Sequence, residues 1–179
     1  MSDTPTSPDT EQRPFSERIR TFMPRSSPLN TSQQRGLDEF APRYVLTLAQ
    51  GPLDPATVFG RQAPLTVEIG FGMGHTLVQM AEEAPERDFV GIEIHKPGVA
   101  QFCFDAGSRD LPNLRCYSED AVEVLEKAVA DASVDTLQLF FPDPWQKARH
   151  HKRRFVRPDL IALVRQKLRI GGRFHMATD

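Results

Sequence analysis

From Leu65 to its last residue the chain alternates short β-rich runs with helical stretches, a pattern that predicts parallel strands joined by crossover helices. The strands fall at Leu65 to Ile69, Asp88 to Ile94, Leu114 to Tyr117, Val134 to Phe141 and Arg173 to Ala177. Between them helices of about 10 residues start near Gly74, Pro97, Glu119 and Pro158. Val122, Leu125 and Val129 recur at helical spacing, and Pro158 stands where a first helical turn tolerates proline. This order specifies an open, mostly parallel α/β sheet with helices on both faces. Ligands of such sheets bind at the carboxyl ends of the strands, so the residues directly after each strand are the ones to read for function.

The chain ahead of this unit has a different character. Residues 1–30 are rich in Ser, Thr, Pro and charged side chains and poor in aliphatics, which cannot bury enough surface to offset ordering entropy; they are expected to form a disordered tail. Within that tail, Arg18-Ile19-Arg20-Thr21-Phe22 combines paired cations with two apolar anchors and suits ordering on a partner. Thr31 or Ser32 is expected to cap a helix running through Gln34, Leu37, Phe40 and Tyr44, with Pro42 bending or restarting it. Residues 50–63, with Gly51, Pro52, Pro55 and Gly60, read as a linker. The expected organisation is thus a tail over 1–30, a helix and linker over 31–64 and one α/β domain over 65–179.

Several classes are excluded. No apolar run approaches the roughly 18–20 residues that span a bilayer, and the start MSDTPTSPDT lacks the basic and apolar segments of a secretory signal. Cys103 and Cys116 have no metal-ligand spacing, which makes a reduced cytoplasmic setting the expectation and gives no metal site. The formal net charge of -2 hides a division: residues 1–146 hold 12 Lys and Arg against 22 Asp and Glu, a net of -10, and residues 147–179 hold 10 against 2, a net of +8. A basic block in the last fifth of the chain suits either a solvated face or a polyanionic partner.

The first strand runs into Glu68-Ile69-Gly70-Phe71-Gly72-Met73-Gly74. Glycines at alternate positions let the backbone turn sharply and approach a ligand closely, with a helix N-terminus following. A dinucleotide fingerprint would need a glycine at position 75, which is His75, and an acid in the strand would repel a pyrophosphate. Glu93 closes the second strand about 20 residues further on, where a carboxylate accepts ribose hydroxyls. Asp120, after the third strand, fits either the exocyclic amine of an adenine or a helix cap. Three acids after three strands favour a positively charged nucleoside such as S-adenosylmethionine over a phosphate-rich cofactor.

The fourth strand leads into Pro142-Asp143-Pro144-Trp145 and a basic run. Two prolines restrict the backbone around Asp143, and Trp145 suits either core packing or stacking on a base. Lys147, Arg149, Lys152, Arg153, Arg154 and Arg157 place six cations in eleven residues, interleaved with His150 and His151. If all six met phosphates, log K would fall against log salt with a slope of about -4 to -5.

Glu68 to Gly74, Gly91-Ile92-Glu93-Ile94-His95 and above all Phe140-Phe141-Pro142-Asp143-Pro144-Trp145, followed by Lys147 and His151 to Arg154, resemble the bacterial tRNA (guanine-N7-)-methyltransferases, the TrmB family. The likeness runs from about Arg18 to the end of the chain. The resemblance implies a Rossmann-like class I S-adenosylmethionine-dependent methyltransferase that modifies N7 of a guanosine in the tRNA variable loop. It assigns Glu68, Gly70, Gly72, Gly74, Glu93, Asp120 and Asp143 to the cofactor, with Asp143 also catalytic. Lys147 and Asp179 match substrate positions, and Arg149, His150, His151, Lys152, Arg153 and Arg154 match the segment that touches RNA. It further implies a cytoplasmic protein, monomeric or homodimeric. Because such sheets ordinarily have two more strands, the sheet is expected to lack its last strands and to end on a bare edge. A truncated, non-catalytic remnant that binds RNA or S-adenosylmethionine is the alternative expectation.

Overall fold

The structure, a computed structural model, describes residues 27–142 and 154–178. The tail over 1–26, Arg18 to Phe22 included, lies outside the described residues. The helical stretch begins one residue earlier than Thr31 or Ser32 as caps would give: Asn30 is the N-cap, accepting the Gln33 N–H while Gln33 reaches back to the Asn30 N–H. That reciprocal capping box satisfies two amides at once. The stretch consists of α1 (Thr31–Arg35), a wider π-turn (Gly36–Phe40) and α2 (Ala41–Tyr44), with Pro42 in the first turn of α2 where the expected restart falls.

Three elements appear that the sequence reading treats as connection, one of them a 3₁₀ turn over Leu48–Gln50. β1 (Val45–Leu46) is a two-residue strand, too short to register as a pattern, and the span read as a linker contains α3 (Pro55–Phe59), capped by Asp54 with Pro55 in its first turn. Proline and glycine are breakers inside a helix but ordinary at its two ends, which is why their density misleads here.

The remaining elements are β2 (Leu65–Ile69), α4 (His75–Glu83), β3 (Asp88–Ile92), α5 (Lys96–Ser108), β4 (Leu114–Tyr117), α6 (Ala121–Lys127), β5 (Val134–Phe140), α7 (Pro158–Lys167) and β6 (Leu168–Ala177). β3 stops at Ile92 rather than Ile94, because the Glu93 carboxylate takes the Ile94 and His95 N–H groups away from the ladder. β6 starts at Leu168 rather than Arg173, extended through Gly171 by a register shift against β5.

All strands pair in parallel, in the order β1-β4-β3-β2-β5-β6. The chain winds outward from β2 through β3 and β4, then returns to the other side of β2 for β5. The carboxyl ends of β2 and β5 therefore flank the point where the winding reverses, the place where such sheets open a crevice. Two apolar layers hold the sheet. Val67, Ile69, Val90, Leu137 and Leu139 pack under α6 and α7, while on the other face Phe89 and Leu114 pack with Leu77 of α4 and Phe102 of α5. Tyr44 is fully buried and donates its hydroxyl to the Ala106 carbonyl at 3.0 Å, fixing the N-terminal helices to α5.

Candidate functional site

The turn after β2 is held from below. Gly70, Gly72 and Gly74 take φ of 73°, 60° and 81°, left-handed conformations that a side chain would make costly by about 1–2 kcal/mol each. The Gly70 N–H donates to the Ile92 carbonyl at 2.7 Å and the Gly74 N–H to the Phe71 carbonyl at 3.0 Å. Between the glycines, Phe71 points down into the core, its ring 4.8 Å from that of Phe102. It lies over Gly91, where a Cβ would come within 2.4 Å of the ring. On the opposite side nothing lies within 4 Å of where a Cβ of Gly70 or Gly72 would stand. Gly74 differs from these two, because a Cβ there would meet Phe102 at 2.9 Å; it permits close packing and opens α4.

The acids gather at this edge. Glu93 accepts the Gly72 N–H on Oε2 at 2.8 Å and the N–H groups of Ile94 and His95 on Oε1 at 2.7 and 2.8 Å, so it ties the glycine turn to the end of β3. Asp120 realises the cap reading: its Oδ1 accepts the N–H groups of Val122 and Glu123 at the start of α6. Glu68 lies beneath, only 4% exposed, with Oε2 lacking a partner among the described residues. Burial, and then the charge of Glu93, push its pKa from 4.5 up to about 7.

Gln138 belongs to this cluster and is not singled out by the sequence motifs. It pairs in register with Glu68, is buried, donates to Met80 Sδ at 3.8 Å and leaves Oε1 without a partner among the described residues. Its signal was a lone amide inside Leu137-Gln138-Leu139, where a fully buried parallel strand calls for aliphatics.

At the end of β5 the chain turns through Phe141, a bulky residue held at φ 48° with its ring 66% exposed and its N–H on the Ala177 carbonyl at 2.8 Å. Pro142 follows. Asp143, Trp145, Lys147, Arg149, His150, His151, Lys152, Arg153 and Asp179 lie outside the described residues. Arg154, exposed beside buried Phe155, borders a cavity of about 440 Å³ lined mainly by apolar groups including Leu139, Pro142, Phe155 and Met176. It opens at the carboxyl ends of β5 and β6, next to the turn at Phe141 and Pro142. Among the described residues no cluster of His, Cys, Asp and Glu is placed to hold a metal, and no helix is long and apolar enough to cross a membrane.

The family model described as "Putative methyltransferase" matches residues 62–179. The tRNA (guanine-N(7)-)-methyltransferase of Pseudomonas putida strain KT2440 is 56% identical over 177 residues, covering 99% of this chain and 73% of its own length. That of Pseudomonas entomophila strain L48 is 54% identical with the same coverage. Among solved structures, the antibiotic-resistance methyltransferase Kmr superposes with a TM-score of 0.52 at 17% identity, covering 68% of this chain and 62% of its own. That likeness gives the fold: a Rossmann-like class I methyltransferase sheet.

Proposed function

The chain belongs to the tRNA (guanine-N(7)-)-methyltransferase family, and from that premise we propose that it methylates N7 of a guanosine in the variable loop of tRNA, using S-adenosylmethionine. When bound, that cofactor supplies an electrophilic methyl group on a positively charged sulfur. The observation that carries the reading is the grouping of Glu68, Glu93 and Asp120 at the ends of three neighbouring strands around a glycine turn open on its outer side. The unpartnered, buried Oε2 of Glu68 suits a cationic group and would repel a phosphate.

The division of labour follows from the bonds already made. A carboxylate offers about four acceptor sites, and Glu93 uses three on backbone N–H groups, leaving one for a ribose hydroxyl. Asp120 caps α6 with Oδ1, so Oδ2 is the atom to meet an adenine amine. The Gly70 and Gly72 backbones face the ligand, and Glu68 faces its amino-acid end.

Guanine N7 carries an exposed lone pair, so no proton has to leave before it attacks a methyl group. What the protein contributes is alignment, which reaches roughly 7–11 kcal/mol when reacting atoms are held at near-attack distance. Asp143 then acts by orienting guanine and offsetting the positive charge that develops on the purine. Lys147 and Asp179 hold the substrate, and Arg149 to Arg154 take the RNA backbone, with the cavity beside Arg154 adjoining the reacting base. Such a protein works where tRNA is, in the cytoplasm.

Digestion of tRNA after incubation with the protein and S-adenosylmethionine, with mass spectrometry of the nucleosides, tests the reading: 7-methylguanosine is expected, and its absence while another methylated base forms would overturn it. Near-wild-type single-turnover methylation by Asp143→Asn at saturating tRNA would remove the orienting role.

A further inference from the structure

Glu68 and Gln138 are cross-strand partners on β2 and β5, so their side chains leave the same face of the sheet from backbones about 4.8 Å apart. Both are buried, and each keeps one oxygen, Oε2 of Glu68 and Oε1 of Gln138, without a partner among the described residues. Two acceptor oxygens cannot satisfy each other. A single proton on Glu68 turns it into a donor and gives both oxygens a partner.

The surroundings favour that proton. From the β3 side Glu68 faces Gly91, which offers no side chain, and Glu93, a like charge. From α4 come Leu77 and Met80, both uncharged. On this face Arg87 donates to the Thr66 and Thr136 hydroxyls at 3.1 and 3.4 Å, two residues back along both strands, and from the β6 side come Arg173, in register with Thr136, and His175, in register with Gln138 with its ring 5.0 Å from that of Phe140, both exposed. His75, at the start of α4, is paired with Asp105. Asp143, beyond β5, lies outside the described residues.

We propose that in the ligand-free protein Glu68 carries a proton shared with Gln138, and releases it when the positively charged amino-acid end of the methyl donor binds beside it. The O–H bond breaks heterolytically, the electron pair stays on the carboxylate and the proton passes to the buffer. A pKa raised to about 7 means that the group is largely protonated at pH 6. Gln138 is a positioning residue, acting on the ligand through Glu68. The inference rests on the reading of this edge as the methyl-donor site.

Calorimetry of S-adenosylmethionine binding to the full chain at pH 6.0, in buffers of differing ionisation enthalpy, counts the proton. At that pH the ligand's own α-amino group is fully protonated, since such groups titrate near 7.7–8.0. Close to one proton released per ligand is expected, with affinity rising about tenfold per pH unit below neutrality and levelling off above it. 5′-Methylthioadenosine, which lacks the amino-acid end, is expected to bind without release. Binding enthalpies equal in all buffers would overturn the inference and leave the methyl-donor site standing; failure of S-adenosylmethionine to bind would overturn the site itself. Infrared difference spectra on ligand addition give a second readout in the wild-type chain: loss of a protonated-carboxyl band is expected, and E68Q should lack that band. Q138L should keep the band at a higher frequency, and an unmoved band would remove Gln138 from the arrangement.

Discussion

The carbonyl oxygen of Gly72 occupies the space that a side chain on Gly98 would need: a Cβ built on Gly98 would stand 2.0 Å from it. The first turn of α5 thus sets the height of the glycine loop from behind, while Glu93 holds the same residue by its N–H. Gly98→Ala should favour the α5 helix by up to about 1 kcal/mol on intrinsic propensity, so any loss comes from the clash. The loop must move, at an overpacking cost of about 1–3 kcal/mol. S-Adenosylmethionine affinity, measured by equilibrium dialysis, should fall about tenfold or more while far-ultraviolet circular dichroism stays unchanged.

Phe141 holds its place at the expense of backbone strain. A bulky residue at φ 48° is costly, and a ring that is two-thirds exposed recovers little by burial. Phe141→Gly should stabilise the chain by about 1 kcal/mol in denaturant titrations. If the ring faces the base or its neighbours, the same variant should raise the KM for tRNA and leave S-adenosylmethionine affinity intact. A variant that is no more stable than the wild type would show that the turn is not strained.

The order of strands and helices from Leu65 onward was legible because each buried strand is a short apolar run bounded by breakers, and each helix carries an apolar stripe. The glycine turn, Glu93 and Asp120 were legible because they follow strands. Gln138 and Gly98 were not: their roles depend on what stands opposite in the sheet or behind the loop, and one chain read in order carries no cross-strand register. β1 was too short for any period to show, and α3 was hidden by the proline and glycine that begin and end it. Glu93 illustrates a half-legible case, since its position marked an acid at a strand's carboxyl end while its three backbone bonds came only with the fold.

The opposite end of the sheet offers a control. Asp88 opens β3 with its carboxylate fully buried, Oδ1 accepting Arg61 Nε at 2.9 Å and Nη2 at 2.7 Å. Removing Arg61 leaves that carboxylate without its cation. A fully buried pair broken this way costs roughly 3–5 kcal/mol, and the partial exposure of Arg61 lowers the expectation for Arg61→Met to about 2 kcal/mol. At this chain length that is a fall in Tm of about 4–8 °C. Asp88→Asn in the same chain should recover part of it. Because the pair lies at the amino ends of the strands, S-adenosylmethionine affinity of the folded fraction should not change.

Glu68 predicts a pH dependence of stability with a definite sign. Its pKa rises from 4.5 in the unfolded chain to about 7 in the folded one, so between those values the native state holds a proton that the unfolded state has lost. Stability from this group is fully present below pH 4.5 and declines by about 1.4 kcal/mol per pH unit as pH rises, until the folded carboxyl ionises near neutrality. The total is on the order of 3 kcal/mol. Glu68→Gln keeps the shape and cannot ionise, so it lacks this slope. Denaturant titrations of the ligand-free proteins should find wild type and variant alike near pH 4 and the variant more stable at pH 8 by up to about 3 kcal/mol. Subtracting the two curves cancels the groups that do not interact with Glu68, and a difference that does not change with pH would mean that the Glu68 carboxyl ionises alike in the folded and unfolded chain.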